Sequence, residues 1–240
     1  MKNIARLLFI SLVVLFFSCK KDKVEAPPDL GYDYYPGTIK SYVVYDVDSI
    51  IYNPLGSSNG NDTVRYKFQI KEVMDTLITD NQNRPTIKLI RYKKKYSPTI
   101  PYSAMTWTLQ DVWVANKTSR DAEVVEENIR YTKLAFPASL HGSWNGTAQD
   151  SVATTYQYNT FDVPLTLNGN SFTKTAMVMQ KLDTSAVSYQ MDYEQYARGV
   201  GLIYKQIVFY VYLQDQYGAH RGVIASGNYY AMTVNSYGIE

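Results

Sequence analysis

The chain has 240 residues, with 24 Lys and Arg, 22 Asp and Glu, 2 His and a single Cys. Residues 1–18 carry Lys2 and Arg6 and no acid, so beyond them the balance is 22 against 22. A neutral chain lacks the concentrated basic footprint that nucleic-acid binding needs, and one cysteine cannot close an internal disulfide.

The first segment runs from Lys2 and Arg6 into an apolar stretch, Leu7 to Phe17, interrupted by Ser11 alone, and stops at Ser18 and Cys19. A short basic start and a short apolar core are the marks of a secretory signal. The apolar run falls short of the ~20 residues a spanning helix needs, and Lys20, Lys21, Asp22 and Lys23 end it. The segment resembles a bacterial lipoprotein signal, with a small residue ahead of the cysteine. Phe16 stands where that signal usually has leucine, as in the relaxed boxes of Bacteroidota lipoproteins. The resemblance implies cleavage between Ser18 and Cys19 and lipid on the Cys19 thiol. Lys20, in place of the aspartate that retains lipoproteins at the inner membrane, implies the outer membrane and leaves open which side the protein faces. Two or three acyl chains on one residue make a lasting anchor, whereas a single chain binds marginally. Residues 19–36, with charges first and then Pro27 and Pro28, read as a tether.

Residues 37–240 are expected to form one all-β domain, an antiparallel β-sandwich or a partly closed β-barrel. A first strand covers Val43 to Tyr52. Val64, Tyr66, Phe68 and Ile70 then alternate with Arg65, Lys67, Gln69 and Lys71, the period of a strand with one buried face. Asp80 to Asn83 reads as a hairpin turn into a return strand, 87–96. Within that strand, Arg91, Lys93, Lys94 and Lys95 are expected on a solvated face. From Met105, Trp107 and Leu109 the apolar parity shifts to Val112 and Val114, which predicts a bulge at Gln110 or Asp111. Ile129, Tyr131, Leu134 and Phe136 fit a strand with one slip, although acidic residues at 121–127 could open a short helix instead. Asn145-Gly146 favours a reversal. Strands follow over 161–167, 172–182 and 186–193. After a turn bracketed by Gly199 and Gly201, the most hydrophobic strand spans Leu202 to Leu213, and two runs at 223–225 and 229–234 close the chain. Tyrosine, present 23 times against 8 Phe and 3 Trp, suits half-buried strands.

Tyr34-Tyr35-Pro36, Tyr45-Asp46-Val47-Asp48-Ser49, Phe136-Pro137 with Ser143-Trp144-Asn145-Gly146, and Tyr196-Ala197-Arg198-Gly199-Val200-Gly201-Leu202 lie along most of the chain. Together they resemble stations in a group of uncharacterised Bacteroidota lipoproteins. The resemblance implies the protein class and no activity.

Chemistry is sparsely signposted. His141 sits in a glycine-rich loop and His220 beside Arg221 in an expected turn, neither within a nucleophile motif. No phosphate loop, cofactor motif or zinc spacing is present. Glu123, Glu126, Glu127, Asp192 and Glu194 could supply the carboxylate pair of a glycan hydrolase, but no pairing is legible. Trp107, Trp113, Trp144, Tyr229 and Tyr230 could offer ring faces to a ligand, or could fill core and flank strands. Asp48-Ser49, Asp62-Thr63, Asp75-Thr76 and Asp150-Ser151, each followed by an aliphatic residue, resemble acceptors of Bacteroidota O-glycosylation and equally suit turns. The expectation is a non-enzymatic envelope lipoprotein, a binding or accessory subunit with a protein or glycan partner. A glycan hydrolase and a structural component of a surface assembly are the alternatives. Replacing Cys19 by alanine should move the protein from the membrane to the soluble fraction; unchanged fractionation would refute lipidation.

Overall fold

The computed structural model describes residues 28–54, 61–147 and 152–240, with backbone alone for Asn61 and 219–221. Ser18 and Cys19, and with them the expected signal, the expected lipidation site and the charged half of the expected tether, lie outside the described residues. Twelve strands form one antiparallel sheet. They are β1 (Ser41–Pro54), β2 (Asn61–Thr79), β3 (Pro85–Lys95), β4 (Thr108–Lys117), β5 (Asp121–Glu126) and β6 (Ile129–Ala135). The second half contributes β7 (Ser143–Asn145), β8 (Thr155–Leu167), β9 (Asn170–Thr184), β10 (Ser188–Ala197), β11 (Gly201–Asp215) and β12 (Gly218–Ile239).

Strands adjacent in sequence pair, except β6 and β7, and β1 pairs with β12, so the order runs β6-β5-β4-β3-β2-β1-β12-β11-β10-β9-β8-β7. Of the two architectures expected, this is the partly closed barrel. The remaining gap, between β6 and β7, is stitched by two hydrogen bonds. Thr132 N–H donates to the Gly146 carbonyl at 2.9 Å, and the Trp144 indole donates to the Thr132 carbonyl at 2.8 Å. Edge groups that would otherwise invite another strand are thereby occupied.

Local chemistry explains the turns. Asp80 Oδ1 accepts from the backbone N–H of Gln82 and of Arg84, each at 2.9 Å, closing the β2–β3 hairpin. Glu127 and Asn128 both adopt positive φ, as a two-residue hairpin loop demands, so 121–135 is a pair of strands and no helix forms. The parity shift in β4 is a bulge: Asp111 faces Arg91, Leu109 faces Tyr92, and Gln110 is the extra residue. The slip in β6 is another. Leu134 faces Ala122 and Thr132 faces Glu123, leaving Lys133 without a partner in the ladder.

The tether is shorter than expected. Tyr34 and Tyr35 are buried among Phe136, Ala138, Tyr158 and Tyr196, because two large aromatic side chains gain more inside the barrel than in water. Arg198 clips this segment down, reaching Asp33 and Asp29 Oδ2 at 2.8 Å and, through Nε, Asp162 at 2.8 Å. Gly31, at φ +76°, is where the chain turns in; a Cβ there would lie 2.7 Å from that of Ala138. His220, expected in a turn, lies in β12 opposite Leu213.

Tyrosines also line the outer surface. Tyr52, Gly227, Tyr210 and Tyr189 form one cross-strand row, and the rings of Tyr52 and Tyr210 meet edge-on at 5.5 Å over the glycine. A Cβ on Gly227 would stand 2.1 Å from the Phe209 carbonyl oxygen. Gly227→Ala should therefore lower stability by at least about 1 kcal/mol, measured as a fall in the urea midpoint at constant slope. An unchanged midpoint would show that this backbone approach is not needed.

Candidate functional site

The inner face carries apolar residues at most levels, with one level of charge between them. Glu72 on β2 faces Arg91 on β3, which faces Asp111 on β4. Glu194 on β10 faces Lys205 on β11. Glu126 from β5 and Lys133 from the β6 bulge complete the ring. The bulge has a direct consequence: two successive residues, Lys133 and Leu134, are both buried, where a regular strand would turn one of them outward.

The ring is closed by ion pairs. Lys133 Nζ lies 2.6 Å from Glu126 and 3.0 Å from Glu194; Lys205 Nζ lies 3.2 Å from Glu194. Tyr196 donates to the other Glu194 oxygen at 2.5 Å. Arg91 reaches Glu72 at 3.0 Å and Asp111 at 3.2 Å, while its guanidinium stacks 3.9 Å over the Trp113 ring. Glu194 is 1 % exposed and Lys133 5 %. Burial alone would raise the Glu194 carboxyl, but Lys133, Lys205 and the Tyr196 hydroxyl bring it down to about 2. Burial likewise opposes charge on Lys133, and Glu126 and Glu194 hold its pKa above the ordinary lysine range. Glu72 behaves oppositely: burial raises its carboxyl despite the pull of Arg91.

Beside this ring lies a cavity in which the centre of a water-sized sphere has about 70 Å³ of room. Its wall combines Val43, Met74, Leu89, Leu202 and Met232 with the charged residues and with Tyr35. Most hydroxyls of the buried tyrosines are matched. Tyr34 donates to Asp162 at 2.6 Å, Tyr45 to the Leu202 carbonyl at 3.0 Å, and Tyr158 to the Ala135 carbonyl at 2.9 Å. Tyr35, only 5 % exposed, has no hydrogen-bond partner for its hydroxyl among the described residues. A buried hydroxyl left without a partner costs about 1–3 kcal/mol, so this atom is the one point of unmet demand in the wall.

The sequence candidates divide. Glu126 and Glu194 come together around Lys133. Glu123 pairs with Arg130 and Arg84, Glu127 accepts from the Trp113 indole, and Asp192 accepts from Gln190 and the Val208 N–H. Trp113 lines the cavity, and Tyr230 lies close enough to Arg91 for the guanidinium to oppose the burial that raises its phenol to about 12. Trp144 is spent on the seam, Trp107 lies under Lys94 at 4.3 Å, and Tyr229 lines a separate shallow recess with Tyr204, Asp46 and Asp48. The expected solvated face of β3 is corrected. Arg91 is buried, and Lys93 packs its ammonium 3.9 Å over the Phe68 ring, because this parity of the strand faces Glu72, Ile70 and Phe68 of β2.

Lys133, Arg91, Lys205, Glu72 and Tyr35 are not among the site candidates that the sequence offers. One signal was available: the apolar parity Val64, Tyr66, Phe68, Ile70 continues to Glu72 and Met74, placing an acid in a core position. No protein-family model matches the chain, and no curated protein matches it.

Replacing Lys133 by methionine leaves Lys205 as the one lysine beside two buried carboxylates and should cost about 3 kcal/mol, read from chemical denaturation at pH 7. A loss below 1 kcal/mol would reduce the pair to a surface-like contact. Because the Glu194 carboxyl is depressed in the folded state, its contribution is present above the unfolded pKa. It should be lost as pH falls from about 4.5 towards 2. Glu194→Gln should flatten the stability profile in that window; an unaltered slope would contradict the shift.

Proposed function

We propose that the protein is a lipid-anchored accessory or binding subunit of the outer membrane, and that its barrel interior receives a small molecule. The anchor rests on the Lys2–Cys19 signal, where the sole cysteine follows Ser18. The binding reading rests on one observation, the cavity whose wall holds the unmatched Tyr35 hydroxyl. An apolar wall with a few convergent polar groups is the usual make-up of a small-molecule site.

Solvent extraction of the protein purified from its native envelope, followed by mass spectrometry of what is released, tests this directly. A compound should be recovered from the natural protein and lost from a Val43→Trp variant, whose side chain fills the cavity, with folding checked by circular dichroism. Recovery of the same compound from both would place it elsewhere, and recovery from neither would remove the reading.

A hydrolase has one feature in its favour, the meeting of Glu126 and Glu194. Both carboxyls nevertheless sit below the ordinary range: burial pushes them up, and Lys133 and Lys205 more than offset it. Neither therefore holds the proton that a general acid must deliver near neutral pH. For a surface-assembly role, the β6 and β7 edges meet at the Thr132–Gly146 hydrogen bond, so a partner strand would find that part of the edge occupied.

A further inference from the structure

Resting on that reading of the cavity, we infer that the ligand is a small uncharged amphiphile: an alcohol, or a carbonyl compound of similar size, that meets the Tyr35 hydroxyl. Three observations lead there.

The first is charge. Glu72, Asp111, Glu126 and Glu194 face Arg91, Lys133 and Lys205, so the ring has one acid in formal excess. Each of the seven groups already has an opposite partner within the ring. An anionic ligand would enter beside surplus acid, and it could reach a lysine only by displacing a glutamate that then stays buried and unpaired. A cationic ligand would have to displace Lys133 or Lys205 in the same way. Such exchanges are costly at low dielectric. An uncharged group disturbs none of these pairs.

The second is the single spare polar atom. The hydroxyls of Tyr45 and Tyr196 in the same wall are engaged by the Leu202 carbonyl and by Glu194. Among the buried hydroxyls of this wall, Tyr35 alone has both a proton to give and lone pairs to offer, which suits one hydroxyl or carbonyl. The third is the remainder of the surface. Val43, Met74, Leu89, Val124, Leu202 and Met232 supply an apolar bed for the rest of the ligand, and the room available limits it to a few heavy atoms.

Methyl-labelled methionine gives a positional readout, because Met74 and Met232 line the cavity whereas Met105 and Met177 do not. The full-length protein is titrated with 1-propanol, propionate and propylammonium. Propanol should shift the Met74 and Met232 methyls saturably, and both ions should bind at least about tenfold more weakly. Tyr35→Phe removes an atom without a protein partner, so the fold should persist. Propanol affinity should nonetheless fall about fivefold.

Equal or tighter binding of propionate or propylammonium would overturn the charge argument. Propanol binding indifferent to Tyr35→Phe would overturn the contact. If none of the probes shifts these methyls although extraction releases a bound compound, the ligand class is wrong and the cavity reading stands. If both experiments are negative, the cavity holds solvent only and both inferences fall.

Discussion

Lys133 and Glu194 are buried together, and each keeps its charge only through the partners that surround the pair: Glu126 beside Lys133, and Lys205 and Tyr196 beside Glu194. Moving a single charge into a protein interior costs several kcal/mol even after relaxation, so the pair is stable only while its geometry is held closely. That requirement reaches outward through the structure. The β6 bulge is what turns Lys133 inward beside Leu134. The β10–β11 register brings Lys205 opposite Glu194, and Tyr196, two residues along the same strand face, caps the second carboxylate oxygen. A one-residue slip in β6 or β10 would bury a lone charge, so the ring penalises misregistered barrels in a way that an all-apolar interior would not.

The same network shapes what the interior can accept. A barrel lined by free lysines would collect anions, and one lined by free acids would collect cations. Here the charges are spent on one another, and the polar demand that is left belongs to a phenol. The plug formed by Tyr34 and Tyr35 joins fold to site, because the segment clipped by Arg198 also delivers the Tyr35 hydroxyl to the cavity wall. Chain entry and barrel closure are thus parts of one packing solution.

Much of the fold was legible in the sequence because strand parity is a strong signal. The bulge at Gln110 followed from the shift between Leu109 and Val112, and the slip in β6 from the spacing of Tyr131 and Leu134. The hairpin at Glu127-Asn128 was missed because neither residue is glycine, although both take positive φ. The tether was drawn too long because Tyr32, Tyr34 and Tyr35 show no periodicity of their own; their burial depends on Phe136, Ala138 and Tyr158 far along the chain. The site was legible in part. Glu126, Glu194, Trp113 and Tyr230 were in view as separate candidates, and only closure of the sheet brings Lys133 to the two acids. Arg91 was assigned to water because a run of four bases within five residues reads as solvated, and the inward parity of β3 becomes visible only once Glu72 is opposite it.

The most direct measurement of this account is the titration of the Glu194 side-chain carboxyl by carbon-detected NMR on specifically labelled protein. The account requires a carboxylate that stays ionised through pH 4 and gains its proton only near pH 2, with burial outweighed by Lys133 and Lys205. A midpoint at the ordinary glutamate value of about 4.3, or above it, would contradict the charged ring and the selectivity drawn from it.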